Sequence, residues 1–280
     1  MASSIRKAVF PVGGMGTRFL PATKAIPKEM IPVVDKPLIQ YAVEEAARAG
    51  ITDMIFVTAS GKDAIANHFD RSQELENELE AKGKADLLEA VRSVCPDGVH
   101  MIFTRQKAPL GLGDAVLCAK PIVGNSPFAV ILPDDLVDAP ESCIGELISM
   151  RESRGGGNIV AVQNVPRSKT SMYGIASVSE KDSAQVTGLV EKPAPEKAPS
   201  TLAVIGRYVF EPSIFEYLER LAPGAGGEIQ LTDAMAASLE KIPMAACRFS
   251  GIRYDCGSKQ GFISATIHFA KKAGFDTSEK

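Results

Sequence analysis

The stretch Lys7-Ala8-Val9-Phe10-Pro11-Val12-Gly13-Gly14-Met15-Gly16-Thr17-Arg18 decides the reading of the fold, because an apolar run passes directly into glycines and then a cation. Residues 7–12 read as a strand, and open α/β sheets gather their ligands at the carboxyl ends of strands. Glycines at that end let backbone N–H groups approach an anion closely. Neither common nucleotide-binding pattern applies: there is no GxxxxGK[ST], and Phe19 occupies the sixth position counted from Gly14, where the dinucleotide fingerprint needs glycine. Pro21 also interrupts the helix that both patterns require. A plain tight turn remains the alternative. Against it stand Arg18, Lys24 and Lys28, cations on a proline-ruled segment expected to lie extended along a triphosphate.

Working outward, short apolar runs alternate with helical patterns, the signature of a largely parallel sheet with crossover helices. After Pro37, the residues Leu38, Ile39, Ala42, Val43, Ala46 and Ala49 recur at helical spacing up to Gly50. Strands are expected at 54–58, 99–104 and 128–132, with a helix through Cys118 between the last two. The charged stretch 61–94 reads as two or three surface helices broken near Gly83. Beyond a helix at 144–151, strands are expected at 159–163, 174–178, 186–191 and 204–210, and the prolines from Pro193 to Pro199 form a loop. The fold class expected is α/β, a Rossmann-like three-layer sandwich with a mostly parallel central mixed sheet.

The 280 residues, 45% of them hydrophobic, suffice for one catalytic unit. A net charge of -3 gives no overall attraction for nucleic acid or an anionic membrane. Positive charge is local: residues 1–40 hold Arg6, Lys7, Arg18, Lys24, Lys28 and Lys36 against Glu29 and Asp35. Cys95, Cys118, Cys143, Cys247 and Cys256 show no metal-ligand or disulfide spacing and read as packed thiols. No apolar run reaches membrane length or forms a signal core, so a cytoplasmic protein is expected.

Three further places suit chemistry. Leu132-Pro133-Asp134-Asp135 ends an apolar strand, and a carboxylate there is placed to hold Mg2+, which takes one or two protein carboxylates and completes its shell with phosphate and water. A turn or cap is the plainer alternative. Asp255, in Arg253-Tyr254-Asp255-Cys256-Gly257, is a candidate second metal ligand. Glu191-Lys192 pairs an acceptor for sugar hydroxyls with a cation for a sugar phosphate, unless it is a surface ion pair. Gln106, between the 99–104 strand and Gly111, offers both a donor and an acceptor to a pyrimidine edge.

Taken together, these residues fall within long strings that resemble the bacterial UTP-glucose-1-phosphate uridylyltransferases over residues 6–270. The strings run from Gly16 through Met30, from Asp35 through Tyr41, and from Ile131 through Asp134. Others run from Val190 through Pro193, from Gly206 through Tyr208, and from Gly224 through Asp233. The resemblance implies a fold of the nucleotide-diphospho-sugar transferase type in one domain spanning 1–280, with a nucleotide-binding part at about 5–135 and a sugar-binding and oligomerisation part at about 136–270. It implies that Gly13, Gly14, Gln106 and Gly111 frame uracil with Glu29 nearby, and that Arg18 and Lys28 engage the triphosphate. It places Asp134 on Mg2+, Gly174 and Glu191 at glucose, and Lys192 at the sugar phosphate. Asp255 matches a metal ligand of the related thymidylyltransferases.

The activity implied is Mg2+-dependent, in-line attack of glucose 1-phosphate on the α-phosphorus of UTP, giving UDP-glucose and pyrophosphate without a covalent intermediate. Phosphate oxygens are already anionic, so the protein's work is alignment and charge neutralisation. A homodimer or homotetramer is also implied. Other sugar-1-phosphate nucleotidyltransferases, including thymidylyltransferases, are the near alternative, since one methyl group separates uracil from thymine. A non-catalytic nucleotide-sugar sensor is disfavoured by the presence of Asp134, Lys28 and Lys192, and an NAD-dependent dehydrogenase by the broken fingerprint. Two positions depart from the family: Gly14, where many relatives have Ala, and Asp114, where Gly-Leu-Gly-His is common.

Overall fold

The computed structural model describes residues 5–224 and 227–277; Ala225 and Gly226 of the last family string lie outside the described residues. Among the described residues, a nine-stranded sheet forms the centre of the molecule. Its first half is parallel. Strand β1 (Lys7–Pro11) lies between β4 (Asp53–Thr58) and β6 (Phe128–Ile131), and β5 (His100–Arg105) flanks β4. The second half turns on β11 (Leu202–Phe210), which runs antiparallel to β6, to β8 (Asn158–Asn164) and to β9 (Gly174–Val178). Strand β10 (Val186–Glu191) pairs antiparallel with β9, and β12 (Met244–Cys247) pairs parallel with β8. The α/β class and the mixed central sheet are borne out.

Alternation along β1 builds the layers, since successive strand residues face opposite sides. Ala8 and Phe10 join one apolar cluster with Ile39 and Val43 of α1 (Leu38–Arg48) and Ile144 and Leu147 of α7 (Cys143–Ser153). Val9 joins the opposite cluster with Ala115 and Val116 of α5 (Leu112–Leu117), Leu218 of α8 (Ile214–Arg220) and Met235 of α9 (Leu231–Ser238). Burying both faces explains why the strands read as nearly unbroken apolar runs. The charged stretch resolves into α2 (Asp63–Phe69), α3 (Gln73–Ala81) and α4 (Ala85–Arg92), with Gly83 between the last two. The helix through Cys118 is in fact two: α5 stops at Leu117, and α6 (Lys120–Val123) follows with Pro121 in its first turn. Proline fits there because that turn leaves backbone N–H groups unpaired anyway.

One expectation is corrected. The segment after β1 is not extended but forms three 3-10 turns, Thr17–Phe19, Ala22–Lys24 and Lys28–Met30. Short turns with i→i+3 bonds tolerate prolines at their edges, where a full α-helix would not. After these turns come the two-residue strands β2 (Pro32–Val33) and β3 (Lys36–Pro37). A separate ribbon, β7 (Asp135–Asp138) against β13 (Ile252–Asp255), sits beside the strand end of β6 and leads into α10 (Lys259–Lys272). No helix among the described residues is long and apolar enough to cross a membrane.

Candidate active site

The ribbon decides the site, because pairing Asp135 with Asp255 sets the strand-end carboxylate beside a residue distant in the chain. The Cys256 N–H donates to the Asp134 carbonyl at 2.8 Å, which fixes the two turns together. Between them lies Gly257. A Cβ at that position would stand 3.1 Å from Asp134 Oδ2, 3.1 Å from Asp255 Oδ1 and 3.3 Å from Arg18 Nη1. Two carboxylates and a guanidinium therefore converge on one small space that a side chain would fill. Arg18 Nη1 also donates to the Gly257 carbonyl at 3.0 Å.

Lys28 enters the same space, with its Nζ 2.6 Å from Asp134 Oδ2. Burial works to lower its pKa, but the Asp134 and Glu29 carboxylates outweigh that and hold the ammonium above its ordinary value. Asp134 shows the reciprocal balance: burial works to raise its pKa, yet Lys28 leaves it below the usual value. Glu29 is only 1% exposed. Its Oε2 accepts from Lys62 at 3.1 Å while Oε1, also buried, has no hydrogen-bond partner. Burial raises its pKa in spite of Lys28 and Lys62. Glu29 thus forms the floor of the cationic loop rather than its surface. Lys24 is exposed and makes no contact that draws it to this space.

The turn carrying Asp134 is braced from beneath. Arg207, fully buried, donates to both carboxylate oxygens of Glu45, at 2.7 Å from Nη2 to Oε2 and 3.0 Å from Nε to Oε1, and through Nη1 to the Leu132 carbonyl at 3.0 Å. Asp135 Oδ2 accepts the Gly206 N–H at 2.7 Å, and its Oδ1 is held by Arg253. Burial raises the pKa of Asp135 despite that arginine.

A second group of candidate residues lies along β9 and β10. Glu191 pairs with Gly174 across the ladder, and a Cβ on Gly174 would be 3.0 Å from Thr232 Oγ1 and 3.3 Å from Glu191 Oε2. Lys192, 56% exposed, adopts φ of 43°, rare for a side chain with a Cβ, and its Nζ lies 3.1 Å from Glu191 Oε1. Tyr173 links this group to the first: its carbonyl accepts the Lys192 N–H at 3.1 Å, and its hydroxyl donates to Asp255 Oδ2 at 3.0 Å. Lys28 and Asp134 thus meet directly, whereas Lys192 reaches them only through Tyr173 and Asp255.

A third group stands at the ends of β1 and β5. A Cβ on Gly13 would lie 3.3 Å from Gln106 Oε1, so the glycine loop and this amide face each other. Gln106 Nε2 donates to the Gly111 carbonyl at 3.1 Å and to Asp114 Oδ2 at 2.8 Å. Gly111 has φ of 97°, and a Cβ there would run into the Glu228–Ile229 segment at 2.8 Å. Gly14 has open space around its Cα, so the departure from Ala costs no contact.

Sequence reasoning gave no role to Gly257, Tyr173, Thr232 or the Glu45–Arg207 pair. Gly257 and Thr232 fall within quoted strings, but only the register of the ribbon and the approach of α9 to β10 give them neighbours.

Cations and two carboxylates gathered at the carboxyl ends of β1 and β6, with the Gln106 amide standing apart, are the groups that phosphate-group transfer on an α/β sheet calls for. The family model described as nucleotidyl transferase matches residues 7–272. A UTP–glucose-1-phosphate uridylyltransferase of Staphylococcus haemolyticus is 50% identical over 270 residues, 96% of this chain and 93% of that protein. A solved UDP-glucose pyrophosphorylase complexed with UDP-glucose has a TM-score of 0.86 and 42% identity, covering 96% of this chain and 99% of its own. A UTP-bound UGPase from Acinetobacter baumannii has a TM-score of 0.88 and 46% identity, covering 96% of this chain and 94% of its own. The chain belongs to the nucleotidyl transferase family, in the branch of the UTP–glucose-1-phosphate uridylyltransferases.

Proposed function

We propose that this protein transfers the uridylyl group of UTP to glucose 1-phosphate, giving UDP-glucose and pyrophosphate. The observation that carries the reading is the convergence of Arg18, Asp134 and Asp255 around Gly257, with Lys28 paired to Asp134. That space suits a divalent cation. Among the described residues no group of three or more metal-binding side chains is found, and Mg2+ asks for no more than two carboxylates when substrate phosphates supply the rest. Asp134 and Asp255 would hold the ion, which when bound neutralises phosphate charge and orients the α-phosphate.

Lys28 is paired with Asp134 in the free protein, so its ammonium stands ready to exchange that partner for phosphate oxygens. Arg18 adds a fixed charge at the mouth. Gly13 and Gln106 read the base, Gly111 holds the Gln106 amide, and Glu29 supports Lys28 and Lys62 from below. Gly174 and Glu191 receive glucose hydroxyls, and Lys192 meets the sugar phosphate. The attacking oxygen is already anionic, so no residue is needed as a base, and the reaction is one displacement in line with departing pyrophosphate.

We further propose a single catalytic domain, since both halves of the chain contribute strands to one sheet. A homodimer or homotetramer is proposed, supported by Ile263 and Ile267, exposed one turn apart on α10. A cytoplasmic location is proposed because UTP and sugar phosphates are polyanions that do not cross membranes unaided. The test is pyrophosphate release with a panel of nucleoside triphosphates and sugar 1-phosphates, with and without Mg2+. UTP with glucose 1-phosphate should be the best pair and should need the ion; no release from that pair would overturn the proposal.

A further inference from the structure

The amide of Gln106 faces two acceptors on one side. Its Nε2 lies 2.8 Å from Asp114 Oδ2 and 3.1 Å from the Gly111 carbonyl. An ionised carboxylate and a carbonyl only accept hydrogen bonds, so chemistry fixes which end of the amide points toward them. The opposite end, Oε1, is thereby turned to the Gly13 side, where a Cβ would approach it to 3.3 Å. Among the described residues no donor meets Oε1. The backbone of Gln106 is itself held, its N–H donating to the Thr58 carbonyl at 2.9 Å, so the side chain starts from a fixed point at the end of β5. Asp114 lies in the first turn of α5, where the helix dipole favours a negative charge.

We propose that Asp114 is a positioning residue that locks the Gln106 amide with its oxygen toward the base pocket, and so selects a pyrimidine that presents an N–H donor there. Uracil does this with N3–H. Cytosine carries a bare lone pair on N3, which would face the lone pairs of Oε1. Accepting cytosine in the same pose requires the amide to flip, and flipping sets Oε1 against the Asp114 carboxylate and the Gly111 carbonyl. The discrimination is therefore enforced by two acceptors that act through the amide. This inference rests on the proposed use of the Gly13–Gln106 face as the base site. It gives the departure at residue 114 a function: the carboxylate neither meets phosphates nor faces idle solvent, but is spent on the amide.

The experiment compares UTP with CTP for the full-length parent, Asp114→Leu, Asp114→Ala and Asp114→Asn. It reads kcat and KM in pyrophosphate release with glucose 1-phosphate, and affinity for each nucleotide by calorimetry. In the Leu and Ala variants the UTP-over-CTP ratio of kcat/KM should fall by about tenfold, the scale of one hydrogen bond to a charged group. The Gly111 carbonyl, still in place, prevents complete loss. The change should lie in KM and in binding rather than in kcat. Asp114→Asn should fall between the parent and the Leu and Ala variants, because its side-chain oxygen can still accept from Nε2 but its NH2 can also turn to donate to a flipped Oε1. A ratio within twofold of the parent in both Leu and Ala variants would overturn the proposal. If the parent itself releases no pyrophosphate from UTP and glucose 1-phosphate, the functional reading fails instead, and the calorimetric UTP-over-CTP ratio still decides the role of Asp114.

Discussion

Gly257→Ala adds one methyl group at the point where the account places its chemistry. The new carbon would lie 3.1 Å from a carboxylate oxygen of Asp134, 3.1 Å from one of Asp255, and 3.3 Å from the Arg18 guanidinium. All three contacts are tighter than ordinary packing, and all involve side chains that can yield a few tenths of an ångström. Gly257 is not among the glycines with positive φ, so its backbone accepts alanine. The folding cost should then be at the low end of overpacking, about 1 kcal/mol. The functional cost should be much larger. A divalent cation held by the Asp134 and Asp255 carboxylates, as proposed, would need the volume that the methyl would take. Losing one preorganised electrostatic contact costs about 100- to 1000-fold in kcat. Mg2+-dependent pyrophosphate release should therefore fall by that factor while thermal unfolding moves by only a few degrees. Turnover within threefold of the parent would refute the claim that ligands occupy the space between Asp134 and Asp255.

Three other outcomes follow from separate parts of the structure. Glu45→Gln should destabilise by about 3 kcal/mol or more in chemical denaturation, because it leaves the fully buried Arg207 without its counter-charge, whereas Glu44→Gln, on a half-exposed partner of Lys36, should cost under about 1 kcal/mol. Asp138 lies beside His268 and Lys272 of α10; burial works to raise its pKa, but the hydrogen bonds from Lys272 and His268 leave it lowered. Its stabilising contribution is therefore complete above its unfolded value and is lost as pH falls through the lower folded value. Asp138→Asn should lower Tm at pH 6 by about 2 °C, for a half-exposed pair of about 1 kcal/mol, and the gap should narrow as pH falls below the ordinary carboxylate range. Burial pushes the Cys256 thiol up to about 12, so iodoacetamide at pH 8 should leave it unmodified in the native protein and label it after denaturation, as peptide mass mapping would show.

The parallel half of the sheet was legible because β1, β4 and β6 are covered on both faces and so appear as apolar runs bounded by loop residues. Lys28 and Asp134 were legible as chemistry because one follows the glycine loop and the other ends a strand. Their direct pairing was not, since it depends on the loop coiling into 3-10 turns that prolines were expected to forbid. The ribbon of β7 and β13 escaped notice for a different reason. Each strand has only four residues, and its partner lies more than a hundred positions away, so local pattern carries no register. That register is what brings Asp255 and Gly257 to Asp134. The helices α8 and α9 were likewise unread, because they are short and take their stability from packing against each other and against α5. Gln106 was legible as a candidate base reader by its position, but the direction of its amide required the contact with Asp114.

The central claim is most directly tested by the turnover of Asp134→Ala with UTP and glucose 1-phosphate, followed as pyrophosphate release over a series of Mg2+ concentrations. A loss of kcat of about 100-fold or more that added Mg2+ does not restore is expected, since the proposed role of this carboxylate is to anchor the ion, and it also pairs with Lys28. Parental turnover at ordinary Mg2+ would contradict it.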